Sequence, residues 1–250
     1  MTHHTASHRD LPPLPDTVVA LTDSLQRGLA GILGSGFAGL FLYGALAFDR
    51  PEHWLVDVDF HVLVRRPLAD AERADVRALH AALAQTLERG TELDGYYVLL
   101  SDAARAEPPR HQLDLTVRDE AWALHRAHVL AGRYFLVAGI DPRKIVPEPT
   151  WAELEAGLRA EMRFVETHPS ATAFGILNGV RILYSFETRD VVVSKYQAGW
   201  WALASLPAEW HEAVHAALRY YEQASGDDAL TLAERWAPFV AYVNRSLPAT

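Results

Sequence analysis

Asp57 and Asp59 stand one residue apart in Val56-Asp57-Val58-Asp59-Phe60-His61-Val62-Leu63-Val64, a short loop after an apolar run that closes in Leu42-Tyr43-Gly44-Ala45. Residues i and i+2 of a strand project from the same face, so the two carboxylates can sit side by side while Val58 points into a core. Two close carboxylates repel each other unless a cation lies between them. Mg²⁺ suits the pair, because it takes hard oxygen ligands and completes its shell with water and substrate phosphates. Gly44, at the end of the preceding strand, leaves room for a phosphate to approach backbone N–H groups that a Cβ would shield. The chemistry such a layout can do is the gripping of a metal-bound triphosphate, and it points to nucleotidyl transfer. Asp-x-Asp alone is common and fits two solvated aspartates at a strand end equally well; strand, glycine, loop, Asp-x-Asp and strand in succession is much rarer.

Other chemistry-bearing spacings compete with this one. His211-Glu212-Ala213-Val214-His215 is His-Glu-x-x-His on a predicted helix, the zinc peptidase spacing. Its third ligand could come only from Glu222 or Glu234, and no upstream edge-strand region is evident. Gly34-Ser35-Gly36-Phe37-Ala38-Gly39 matches Gly-x-Gly-x-x-Gly, but it leaves a helix and opens a strand, the reverse of the dinucleotide-binding context. His125 and His128 form an i, i+3 pair with no third ligand nearby and read as helix-surface or packing residues. His3, His4 and His8 lie in a polar N-terminal stretch and read as adventitious.

The elements that must position these residues follow from periodicity. A helix is predicted from Asp16 to Leu33, with Gly34 as its stop, and a strand over 40–43. After the second strand, 70–88 reads as a helix whose buried stripe is Val76, Leu79, Leu83 and Leu87. Leu93-Asp94-Gly95-Tyr96-Tyr97-Val98-Leu99-Leu100 reads as a third strand, and Leu113-Asp114-Leu115-Thr116-Val117 as another. Helix is predicted over 119–130 and a short strand over 134–138. The three prolines of 141–149 mark an extended linker and a domain boundary. Beyond it, 151–167, 172–187, 195–205, 208–225 and 229–246 all carry helical spacing. Ser194-Lys195-Tyr196-Gln197 fits a capping box, which starts a helix with free N–H groups beside a lysine, a setting suited to a phosphate tail. The expected organisation is a disordered 1–13, an α/β domain over 14–149 and a helical bundle over 150–250, with the site in the cleft between the two domains.

Composition bounds the partners. At 250 residues, half of them hydrophobic, the chain has ample material for a core. A formal charge of −9 argues against a nucleic-acid partner. There is no cysteine, hence no disulfide, thiolate nucleophile or cysteine zinc site. No apolar signal core and no membrane-length apolar segment is present, so a cytoplasmic location is expected by default.

The strand ending in glycine, the loop and Asp-x-Asp resemble the nucleotidyltransferases related to DNA polymerase beta. Among them the chain is most similar to the streptomycin/spectinomycin adenylyltransferase family and its relatives, over about residues 38–222. The most specific part runs from Asn178-Gly179-Val180-Arg181-Ile182-Leu183-Tyr184 through Ser194-Lys195 to Trp201-Ala202-Leu203 and Leu206-Pro207-Ala208-Glu209. The resemblance implies an α+β fold: a polymerase-beta-like nucleotidyltransferase domain with a mixed sheet, followed by an all-α bundle. It implies two Mg²⁺ ions on Asp57 and Asp59, ATP as substrate and a small hydroxylated acceptor. It places Asp94 where the family has its glutamate base, one methylene longer, with Asp114 as the runner-up. It makes Lys195 the triphosphate lysine and Arg181 an arginine near the same cleft, with Gly44 and Ala45 at the nucleotide. The sequence departs from the family twice. Gly44-Ala45 replaces Gly-Ser, removing a hydroxyl that donates to phosphate. Ser170-Ala171-Thr172-Ala173-Phe174 replaces a segment that carries an acidic pair for a cationic drug, so an altered, amine-poor acceptor such as a sugar or secondary metabolite is expected. The alternative is a catalytically degenerate protein of the same fold that binds a nucleotide or a partner. Trp122, Trp200, Trp201 and Tyr184 are candidates for an acceptor pocket or for core.

Overall fold

Strand patterns alternate with helical ones up to about residue 140 and helical spacing alone follows, and the structure divides accordingly. The computed structural model describes residues 11–49, 57–223 and 228–249, in two compact units. One holds the described residues up to Pro149, the other those from Thr150 on.

The first unit is built on a four-stranded mixed sheet. β1 (Phe37–Leu42) and β2 (Val58–Val64) are antiparallel neighbours at its centre. β3 (Leu93–Leu99) runs parallel to β2, and β6 (Phe135–Gly139) closes the other side, antiparallel to β1, in the order β3-β2-β1-β6. A parallel neighbour demands a crossover, supplied here by α2 (Asp70–Thr86). α1 (Asp16–Leu33) ends at Gly34, whose φ of 51° is one a Cβ disfavours. Gly34–Gly36 is a 3₁₀ turn that feeds β1, three residues earlier than the predicted strand start, so Gly-x-Gly-x-x-Gly is a helix-to-strand connector.

Alternation sorts the strand residues onto two faces. Leu40, Leu42, Val58, Phe60, Val62 and Val64 join Val18, Leu21, Leu25 and Leu29 of α1 and Val76 and Leu83 of α2 in one buried cluster. Phe41, Tyr43, Leu63 and Val98 form the other, with Trp122 and Val129 of α4 (Trp122–Leu130). After β3 come α3 (Leu100–Ala103) and a two-stranded sheet of β4 (Arg110–His111) and β5 (Asp114–Arg118). This hairpin lies along β3: Gln112 N–H donates to Tyr97 O at 2.7 Å, and Tyr97 N–H donates to His111 Nδ1 at 3.0 Å.

The second unit is all helical: α5 (Trp151–Thr167), α6 (Thr172–Thr188), α7 (Lys195–Ser205), α8 (His211–Gln223) and α9 (Ala229–Ser246). Two capping boxes set helix starts. Thr150 Oγ1 accepts from Glu153 N–H, and Ser194 Oγ from Gln197 N–H at 3.0 Å. α6 packs against the other four helices and is buried along most of its length. Gly179 lets Phe239 and Val243 of α9 come against its backbone. Mixed sheet with helices followed by an all-α unit is the α+β class that the resemblance implies. No described helix is long and apolar enough to cross a membrane.

Candidate functional site

The carboxylates converge because of strand register. In the parallel pair Asp59 lies opposite Asp94, and His61 opposite Tyr96. Asp57 immediately precedes β2 and is exposed, Asp59 is half-buried, and Asp94 keeps much of its surface in solvent. β1 runs the other way, so its end at Tyr43-Gly44 meets the starts of β2 and β3, and Tyr43 N–H donates to Asp59 O at 3.0 Å. Gly44 has a φ of 67°, and a Cβ built on it would fall inside the Asp59 carboxylate. Only glycine fits there, and the reason is the aspartate itself. Ala45 follows in the 3₁₀ turn Gly44–Ala47.

The electrostatics record the crowding. Burial of the carboxyl, then the charge of Asp57, raise Asp94 above the usual aspartate range, while His125 pulls it down. Tyr43 is raised well above its ordinary value by burial and then by Asp59, Asp119 and Asp94. Its ring lies 4.7 Å from that of His61 and 4.5 Å from that of His125.

A polar cluster that sequence reading missed lies beside this group. Asp119 Oδ2 accepts from His61 Nε2 at 3.0 Å and from His125 Nδ1 at 2.8 Å. Burial alone would raise Asp119, but the charge and hydrogen bond of His125 and the hydrogen bond of His61 hold it far below the usual range. Burial lowers His61, with the Asp119 hydrogen bond acting against it. The expectation that His125 is a surface or packing residue paired with His128 is thereby corrected: His128 turns its ring to Phe48, 5.3 Å away, and His125 turns to Asp119. The signal was present in the sequence, since His61 continues the alternation of Asp57 and Asp59 on one face of β2.

The other predicted residues fall elsewhere. Asp114 is exposed on the hairpin, outside the four-stranded sheet, with its carboxylate accepting from Thr116 N–H at 3.0 Å and Thr116 Oγ1 at 2.6 Å. Trp122 is fully buried, a core residue. Lys195 and Arg181 belong to the helical unit. The Lys195 ammonium sits 4.1 Å from the Phe174 ring centroid and 5.8 Å from that of Tyr221. Arg181 Nη2 pairs with Glu161 Oε2 at 3.1 Å, and the same oxygen accepts from Asn178 Nδ2 at 2.9 Å. α5 thus supplies a carboxylate that the segment before α6 lacks. Trp201 meets Tyr184 edge-on at 5.5 Å, and Trp200 is half exposed.

His211 Nε2 lies 2.9 Å from Leu206 O, and His215 faces the Trp200 ring. Among the described residues the group of three metal-capable side chains is His61, Asp119 and His125, so the His-Glu-x-x-His spacing gathers no zinc triad there. His3, His4 and His8 lie outside the described residues.

Comparison with known proteins agrees with this architecture. Residues 151–246 match the family model of the aminoglycoside adenylyltransferase C-terminal domain. No curated protein matches by sequence. Among solved structures the chain is similar to the spectinomycin adenyltransferase AAD(9) from Enterococcus faecialis, a crystal structure with ATP and spectinomycin. The TM-score is 0.70 at 13% identity, over 91% of this chain and 98% of that one. The two proteins share a fold, and the family model matches within the helical unit.

Proposed function

We propose that the protein is a nucleotidyltransferase that moves AMP from ATP onto a hydroxyl of a small molecule and releases pyrophosphate. The observation that carries this reading is the meeting of Asp57, Asp59 and Asp94 where β1 ends and β2 and β3 begin, backed by a glycine whose missing side chain makes room for Asp59. The donor set fits a hard divalent cation, since Asp57 and Asp59 offer only carboxylate oxygens. These two residues would hold a pair of Mg²⁺ ions, which when bound would offset charge on the phosphate oxygens.

The remaining roles fall to side chains. Asp94 takes the proton of the acceptor hydroxyl as its oxygen attacks the α-phosphorus and the bond to pyrophosphate breaks. Its raised proton affinity suits a base. Lys195 and the guanidinium of Arg181 neutralise the leaving pyrophosphate. The backbone after Gly44 receives phosphate oxygens without the help of a serine hydroxyl, because Ala45 stands in that place. The similar fold of a protein solved with ATP and spectinomycin supports a nucleotide and a small acceptor as the two substrates.

Calorimetry of ATP with and without Mg²⁺, on wild type and on Asp57→Asn/Asp59→Asn, tests the reading. Binding that needs both the cation and the aspartates is expected. Ala45 favours one other reading, a fold-retaining module without catalysis, and ATP binding indifferent to Mg²⁺ would select it.

A further inference from the structure

The cluster of His61, Asp119 and His125 has no part in the reaction above. It draws on three places in the fold: His61 on β2, Asp119 in the turn before α4 and His125 on α4. One donor atom from each side chain lies within 4.8 Å of the other two. The side chains of His61 and Asp119 are 0% and 1% exposed, and that of His125 is 17% exposed. A carboxylate carried so deep needs a compensating positive charge, because two neutral donors do not offset the loss of its hydration. Asp119 Oδ2 has its two imidazole nitrogens, whereas Oδ1 is buried with no hydrogen-bond partner. An imidazolium at either histidine would supply charge and leave Oδ1 unmatched. A cation seated among the three side chains supplies the charge and can take either oxygen.

We propose that His61 Nε2, His125 Nδ1 and the Asp119 carboxylate form a site for a divalent transition-metal ion of the zinc type, which ties α4 to the central sheet. Two imidazoles and one carboxylate suit zinc, with water in a fourth place. Mg²⁺, which takes oxygen ligands, belongs with Asp57 and Asp59 instead. Bonds of about 2.0–2.1 Å set tetrahedral ligands about 3.3 Å apart. The nitrogens stand 3.0 and 2.8 Å from Asp119 Oδ2, so the ion widens the cluster by a few tenths of an ångström as it displaces the ring protons that face the carboxylate. A ligating imidazole is neutral and carries its proton on the other nitrogen. For His61 that nitrogen is Nδ1, which is buried without a partner. It is a bare acceptor when Nε2 donates to Asp119 and a bare donor when Nε2 holds a metal, so it costs much the same in both states. The ion shares no ligand with the acidic group, although His61 follows Asp59 by two residues on one face of β2 and the Tyr43 ring lies 4.7 and 4.5 Å from those of His61 and His125. The inference therefore stands apart from the transferase reading.

Metal analysis of the full chain, loaded with Zn²⁺ and then dialysed, tests the site. One tightly held equivalent is expected in wild type and in Asp57→Asn/Asp59→Asn, and its removal by a chelator should lower the thermal unfolding midpoint by several degrees. His125→Ala and His61→Asn should each lose the equivalent; should the buried His61 variant not fold, His125→Ala carries the decision. Wild type without a tight equivalent overturns the proposal. So does an equivalent that survives His125→Ala, since the ion then sits on the histidines near the N-terminus, on His211 and His215 or on the acidic pair. An equivalent that Asp57→Asn/Asp59→Asn abolishes overturns it as well. Histidine ¹⁵N spectra of wild type give the second readout: Zn²⁺ is expected to shift His61 Nε2 and His125 Nδ1, and a shift confined to other rings refutes the site.

Discussion

The two faces of the central sheet are made by the same strands, both carry buried apolar residues, and the ionisable groups gather on one of them. On one, Leu40, Leu42, Val58, Phe60, Val62 and Val64 meet the apolar stripes of α1 and α2. On the other, one residue further along each strand, lie Tyr43, Asp59, His61, Asp94 and Tyr96. Alternation lets a strand serve stability with one set of alternate residues and present ionisable groups with the other, without either set compromising the other. Polar groups tolerate this placement because they sit at the sheet end, where solvent and hydrogen-bond partners are available, or, like Asp119, are held by two imidazole donors.

That division can be broken by changes on each side. Phe60→Ala, on the aliphatic face, should cost about 3–5 kcal/mol of stability, measured by denaturant unfolding, while the folded protein keeps its affinity for Mg²⁺-ATP. A comparable loss of affinity would mean that the faces are coupled. Gly44→Ala should do the opposite, weakening Mg²⁺-ATP roughly a hundredfold through displacement of Asp59, with at most about 1–2 kcal/mol lost to its left-handed backbone. Ala45→Ser sharpens the picture of the acidic face, because a restored hydroxyl should tighten ATP about tenfold in calorimetry. The smallest effect concerns pH. Burial, the leading cause, lowers His111 to about 4, and its Nδ1 accepts from Tyr97 N–H. With the unfolded value near 6.5, the neutral ring's contribution is complete above that pH. It is lost as pH falls toward 4, when the unfolded chain takes up a proton that the folded one refuses. Thermal unfolding at pH 4.5 and 7 should show this drop, and His111→Asn should flatten it.

The sequence is most legible where local rules act alone. α1, α5, α7 and α9 begin and end at the predicted residues, because capping residues, prolines and glycines fix termini without help from the rest of the chain. β1 starts three residues before its prediction, since Phe37 to Gly39 are extended by pairing with β2 and β6, a tertiary cause. The convergence of Asp59 and Asp94 follows alternation once the two strands are neighbours, although their adjacency is a matter of topology. Of the Asp119 cluster only the place of His61 on the acidic face of β2 was legible, and its assembly was hidden for the same reason. Its members are 58 and 6 residues apart, and no local pattern joins them. Likewise Glu161 reaches Arg181 across two helices, 20 residues away.

The hairpin of β4 and β5 has a bearing on solubility. β3 is an edge strand, and its Tyr97 N–H and C=O are both taken up by His111 and Gln112. At Tyr97 the edge therefore offers no free backbone group to a passing extended chain. Shortening the segment 105–118 would uncover it and invite strand addition between molecules, so a truncated hairpin is where aggregation of this protein should begin.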